Sequence, residues 1–114
     1  MSVKLSTRQV GDVSVVDVAG RITLGEGSSA LRDMLRDMVG KNQKKILLNL
    51  GDVSYIDSSG IGELVSGFTT VTNQGGQLKL MNLSKNVRNL LQITKLYTIF
   101  EVVDDEDTAV ASYS

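Results

Sequence analysis

The sequence contains no cysteine, no histidine and no proline, and each absence removes a class of chemistry or architecture. Without cysteine there can be no disulfide, thiol nucleophile, cysteine-ligated zinc site or cysteine-ligated iron–sulfur cluster. Without histidine the commonest general base and the commonest transition-metal ligand are both missing, and a Ser-His-Asp triad cannot be assembled. Any catalysis would have to run on carboxylates, lysine or tyrosine, which weighs against an enzyme, and the expectation is no catalytic, cofactor-binding or metal-binding residue. No stretch approaches 18 continuous apolar residues, and Met1-Ser2-Val3-Lys4-Leu5-Ser6 lacks the apolar region of a signal peptide. These absences point away from a membrane and towards the cytoplasm. No linker, repeat or low-complexity tract marks an internal boundary.

What is present is ordinary for a folded domain. The 114 residues are 41% apolar and 22% charged, enough for one core and too apolar for disorder, and the expectation is a single domain over 1–114. Twelve basic and thirteen acidic residues give a net charge of −1, which offers no general attraction to nucleic acid. The charges are uneven: residues 41–95 carry seven basic and three acidic, whereas residues 96–114 carry five acids and no base. The basic residues of the middle section (Lys41, Lys44, Lys45, Lys79, Lys85, Arg88 and Lys95) are dispersed, without aromatic residues between them to stack bases. They read as a solvated surface.

Residues 13–19 alternate apolar with small or polar side chains, the period of a half-buried strand. Residues 3–9 alternate more weakly, with Gly11-Asp12 as the turn of a first hairpin. After Gly25-Glu26-Gly27, Ser28 or Ser29 is placed to cap a helix whose apolar face is Leu31, Met34, Leu35 and Met38, with Gly40 at its stop. Residues 45–50 form an apolar run suited to a strand covered on both faces, and 51–56 read as a turn. Ile61, Leu64, Val65, Phe68 and Val71 mark an amphipathic helix over 61–74, ended by Gly75-Gly76. Residues 77–83 read as a strand, Ser84 as the cap of a helix carrying Val87, Leu90 and Leu91, and 99–103 as a last strand. The acidic run 104–107 leads into a short terminal helix. The order ββαβαβαβα implies an α/β domain with one mixed sheet that opens with an antiparallel hairpin and carries about four helices.

In open α/β sheets, ligands and partners bind where a strand's carboxyl end meets the next helix, and Asp57-Ser58-Ser59-Gly60-Ile61-Gly62 stands at such a junction. Asp and Ser suit helix capping. Glycines in a first turn, however, sacrifice roughly 1 kcal/mol each relative to alanine, and here Gly60 and Gly62 both do so. Small residues there let another backbone or a nucleotide approach closely. A phosphate on Ser58 or Ser59 would add about −1.5 to −2 charges at the helix's positive end, beside Asp57, which would repel it and so alter the local surface. Other motifs fail. Val65 breaks the Gly-x-Gly-x-x-Gly fingerprint, no phosphate-binding loop ends in Gly-Lys-Ser/Thr, and no Gly-x-Ser-x-Gly frames a serine. The acidic run lacks the spacing and glycine of a calcium loop.

The stretch Lys45-Ile-Leu-Leu-Asn-Leu-Gly-Asp-Val-Ser-Tyr-Ile-Asp-Ser-Ser-Gly-Ile-Gly, with the paired first strands ending at Gly20, Gln74-Gly75-Gly76, Leu78-Lys79-Leu80 and Val87-Arg88-Asn89-Leu90-Leu91, resembles the STAS domain of stand-alone bacterial anti-sigma factor antagonists over nearly the whole chain. The resemblance implies a phosphorylation-switched binding module. The serine directly after the aspartate, here Ser58, would be modified by the partner itself, an anti-sigma factor with a histidine-kinase-like ATPase fold. The unphosphorylated antagonist would bind that partner and release a sigma factor, and a serine phosphatase would reset the switch. ATP and Mg²⁺ would belong to the partner, leaving this chain without a cofactor. Asp57, Ser59, Gly60, Ile61 and Gly62 are candidate partner contacts by adjacency, and Thr23 and Ser84 by their expected loops.

In one place the sequence departs from that family. After the glycine ending the second strand the family commonly carries an acidic residue and then an aspartate, whereas here the run is Gly20-Arg21-Ile22-Thr23, so the partner-facing loop is basic and polar. Two other readings stay open: a STAS subunit of a larger transporter or stress-signalling assembly in which the serine is structural, and an enzyme using Ser58 or Ser59 with a lysine base.

Overall fold

The computed structural model describes residues 3–113. Its strands are β1 (Val3–Val10), β2 (Val13–Ile22), β3 (Lys45–Ile56), β4 (Gln77–Met81) and β5 (Glu101–Val103), and its helices are α1 (Glu26–Gly40), α2 (Ser58–Asn73), α3 (Lys85–Ile93) and α4 (Glu106–Ala111). A 3₁₀ turn at Leu96–Thr98 precedes β5. The strands lie in the order β1-β2-β3-β4-β5; β1 and β2 pair antiparallel, and each later neighbour is parallel. The α/β class, the opening hairpin and the order ββαβαβαβα all hold.

The alternation of side chains along the strands sorts the interior into two cores. Val16, Val18, Ile46, Leu48 and Leu80 face one way, against Leu31 and Leu35 of α1, Leu64 and Val71 of α2, and Val87 and Leu91 of α3. Val13, Val15, Leu47 and Met81 face the other way, against Ala109 of α4. The near-continuous apolar run of β3 is therefore explained by cover on both faces. With strands added in one direction, right-handed crossovers place α1, α2 and α3 together on one face, and their amino termini gather at the end of the sheet where β2 and β3 finish.

Several boundaries differ from the sequence reading, the start of α2 at Ser58 rather than at 61 among them. The first helix begins at Glu26 with Gly25 at the cap position (φ 98°), and no side chain caps it. Neither Ser28 nor Ser29 is the cap. Ser28 is buried inside the first turn, where its N–H donates to the Thr23 carbonyl at 3.0 Å, because the left-handed backbone of Gly25 turns the chain into the helix earlier. Gly40 does not stop α1. It is the last helical residue, and the left-handed conformation falls on Asn42 (φ 65°). Residues 51–56 are not a turn: β3 continues to Ile56, paired with the end of β2 through irregularities between Asp17 and Ala19 and between Gly20 and Arg21. Each one gives β3 an extra residue, so its buried positions run Leu50, Val53, Ile56, and the period of two disappears from the sequence. Finally, β4 stops at Met81, ahead of Asn82 (φ 58°), and β5 is confined to Glu101–Val103.

Candidate functional site

The long β3 outruns β4 and delivers Asp57 to the edge of the molecule, where α2 starts at Ser58. Asp57 is the cap, with extended backbone. Its Oδ1 accepts from the Gly60 N–H at 2.9 Å and the Ser59 hydroxyl at 2.6 Å. Its Oδ2 accepts from the Leu24 N–H at 3.0 Å, and its own N–H donates to the Ile22 carbonyl at 3.2 Å. One carboxylate thus closes the first turn of α2 and pins the loop between β2 and α1. The hydrogen bond from Ser59, followed by those from the Gly60 and Leu24 N–H groups, holds the Asp57 carboxyl down at about 2.

The adjacent serines differ. Ser59 is half-buried with its hydroxyl committed to Asp57. Ser58 is exposed, and among the described residues its hydroxyl makes no hydrogen bond. Gly60 is fixed by packing, since a Cβ there would overlap the Ile22 carbonyl oxygen and the Ile56 side chain. Gly62 is exposed, with nothing within 4 Å of the Cβ position. Among the described residues no contact requires a glycine there. Ile61 is half-buried beside it, on the side of α2 that carries Ser58.

Ser58 lies on an open groove of about 550 Å³. One wall is Tyr55, Ile56, Asp57, Ser58 and Ile61, and the other is the face of α3 carrying Asn86, Val87, Leu90 and Thr94. Two large apolar residues are exposed at this end of the sheet, Leu24 at 80% and Tyr55 at 46%, and Tyr55 lines the groove. The Arg21 guanidinium sits over the Tyr55 ring, 5.2 Å from its centroid. A second groove of similar size lies on the other side of α3, lined by Leu83, Arg88, Leu91, Gln92, Tyr97, Phe100 and Val102, and takes in none of the serine-turn residues.

The structure brings Asp57, Ser58, Ser59, Gly60, Ile61 and Gly62 together, with Thr23 one residue before the pinned Leu24. Ser84 stands apart from the groove lining. It caps α3, its hydroxyl oxygen accepting from the Val87 N–H at 3.3 Å. Leu24, Tyr55, Asn86 and Thr94 at this surface were not among the candidates from sequence. The signal for Leu24 and Tyr55 was an apolar residue inside a stretch read as loop. Among the described residues no group of three or more acidic side chains could hold a metal ion, and no helix is long and apolar enough to cross a membrane.

Comparison with known proteins places this geometry. A family model described as the STAS domain matches residues 4–109. The anti-sigma-B factor antagonist of Bacillus subtilis (strain 168) is 34% identical over 102 residues, spanning 90% of this chain and 92% of that protein. The crystal structure of an anti-sigma factor antagonist from Mycobacterium paratuberculosis aligns over 97% of this chain and 93% of its own, with TM-score 0.87 and 19% identity. The Bacillus cell fate determinant SpoIIAA in its phosphorylated form aligns over 95% and 97%, with TM-score 0.73 and 19% identity. At those identities the two structures speak for the fold, and the sequence match speaks for the family. The chain belongs to the STAS domain family, alongside anti-sigma factor antagonists.

Proposed function

We propose that the protein is an anti-sigma factor antagonist whose binding is switched by phosphorylation of Ser58. The observation that carries this reading is the environment of one hydroxyl: exposed, unbonded and seated on an apolar groove at the start of α2. A partner covering that groove buries Ser58. A phosphate there brings about −1.5 to −2 charges next to an aspartate already ionised by its hydrogen bonds, so the modified surface resists desolvation by the same partner. The partner in this reading is an anti-sigma factor with a histidine-kinase-like ATPase fold that phosphorylates Ser58 using its own ATP and Mg²⁺, and a serine phosphatase restores the hydroxyl. The likeness to the Bacillus subtilis antagonist supports the role. Ser59, tied to Asp57 at 2.6 Å, is the poorer acceptor of a phosphoryl group.

The test is a pull-down from the native host with wild type beside Ser58→Asp, the bound proteins identified by mass spectrometry. A histidine-kinase-like ATPase is expected on wild type and at least tenfold depleted on Ser58→Asp, because like charge at a contact is strongly unfavourable. Phosphopeptide mapping is expected to place phosphate on Ser58. Recovery of the same transporter or scaffold subunits on both baits would overturn the reading.

A further inference from the structure

Arg21 stands at the end of β2, beside the serine turn. Arg8, Arg32 and Arg88 each reach a carboxylate. Arg21 is exposed and, among the described residues, pairs with none. It is the register partner of Tyr55 at the ends of β2 and β3, and its guanidinium rests on the Tyr55 ring. Tyr55 is in turn a wall of the Ser58 groove. The acids of the serine turn and the helix after it are already engaged: Asp57 with Leu24, Ser59 and Gly60, and Glu63 with Arg32. Among the described residues neither Glu26 nor Asp52 forms an ion pair with Arg21. The surface beside Ser58 therefore combines exposed Leu24 and Tyr55 with an uncompensated, ring-supported cation.

We infer that Arg21 is a specificity determinant that reads a carboxylate on the partner, so that the matching surface is an apolar side chain flanked by Asp or Glu. This rests on the partner-binding reading of the groove. Among the described residues the guanidinium over the ring makes no hydrogen bond or ion pair, so its N–H groups are available for a bidentate bond to a carboxylate. It also restricts the side chain beforehand, so less conformational freedom is lost on binding. An antagonist with an acid at this position would repel such a partner, and partners suited to an acid would be repelled here.

The experiment uses the full chain and the ATPase recovered on wild type. Affinity is expected to fall about tenfold for Arg21→Gln and about a hundredfold for Arg21→Glu, with Arg21→Lys between wild type and Arg21→Gln. Melting temperatures should stay within about 4 °C of wild type, since an exposed cation–π contact contributes little to folding. Replacing the facing Asp or Glu of the ATPase with Arg, that residue being found by alanine scanning of its acidic surface positions, should restore binding to Arg21→Glu alone. If the ATPase binds wild type and releases Ser58→Asp while Arg21→Glu binds like wild type, the inference is wrong and the switch stands. If no charge reversal rescues Arg21→Glu, Arg21 acts on the shape of the loop and the inference is equally wrong. If no ATPase is recovered, both readings fall together.

Discussion

At the scale of single residues, Asp57 ties the β2–α1 loop to the start of α2. Three donors converge on its carboxylate, from Leu24, Ser59 and Gly60, and they hold its pKa at about 2, below the ~3.9 of an unstructured aspartate. A pKa depressed in the folded state contributes stability that is present above the unfolded value and lost as the pH falls through the folded one. The bonds to Leu24 and Gly60 should consequently survive at pH 3.5, where an ordinary aspartate is mostly protonated. Two-dimensional amide NMR checks this. The Leu24 and Gly60 resonances are expected at nearly their neutral-pH positions at pH 3.5, moving only as the pH approaches 2, and Asp57→Asn should remove the movement. A midpoint near 4 would show that the donors do not hold the carboxylate. The same geometry separates two serines that composition could not, because only Ser59 is engaged by the aspartate.

At the scale of elements, α2 carries two glycines in its opening turns for different reasons. Gly60 lets the helix start against the end of β2, and a methyl group there meets the Ile22 backbone. Gly60→Ala is expected to destabilise the fold by roughly 1–3 kcal/mol, as overpacking does. Gly62 meets nothing, so Gly62→Ala should stabilise α2 by about 0.5–1 kcal/mol through helix propensity. Denaturant titration of the two variants gives the signs, and a destabilised Gly62→Ala would mean that the exposed start of α2 is constrained in some other way. If Gly62 is kept small so that a partner backbone can approach, the more stable variant will also bind the partner less well. Periodicity makes the five strands and four α-helices legible, and capping chemistry the Asp-Ser-Ser-Gly junction and the Ser84 cap, whereas the 3₁₀ turn at Leu96–Thr98 carries no such signal. Periodicity fails where the backbone departs from regular geometry. The extra residues in β3 hid the strand that carries Tyr55 to the groove, and the left-handed Gly25 and Asn42 moved both ends of α1. For Leu24 the sequence signals an apolar residue in a loop but not what that loop lies against, which a backbone bond to Asp57, 33 residues away, decides.

At the scale of the whole molecule, the sheet separates the groove from everything behind it. The serine turn, α1, α2 and α3 share one core, while α4 packs on the other around Val13, Val15, Leu47 and Met81. α4 is further held by polar ties. Glu106 is bonded to Arg8 of β1, the Tyr113 hydroxyl donates to the Ile46 carbonyl, and buried Lys79 donates to the Ser112 hydroxyl at 2.7 Å. The molecule measures 30 × 25 × 23 Å, whereas charges in physiological salt are screened over about 8 Å. Close-packed interiors repack between discrete states rather than deform smoothly, and among the described residues the sheet is what lies between Ser58 and α4. The proposed phosphorylation of Ser58 should therefore act as a local change of surface and not as a change of fold. In amide NMR of the unmodified protein and the protein phosphorylated at Ser58, shifts are expected at the β2–α1 loop, the first turns of α2 and the groove face of α3. Residues 105–113 should hold their positions. Shifts of comparable size in α4 would mean that the signal crosses the sheet and that the back face belongs to the switch.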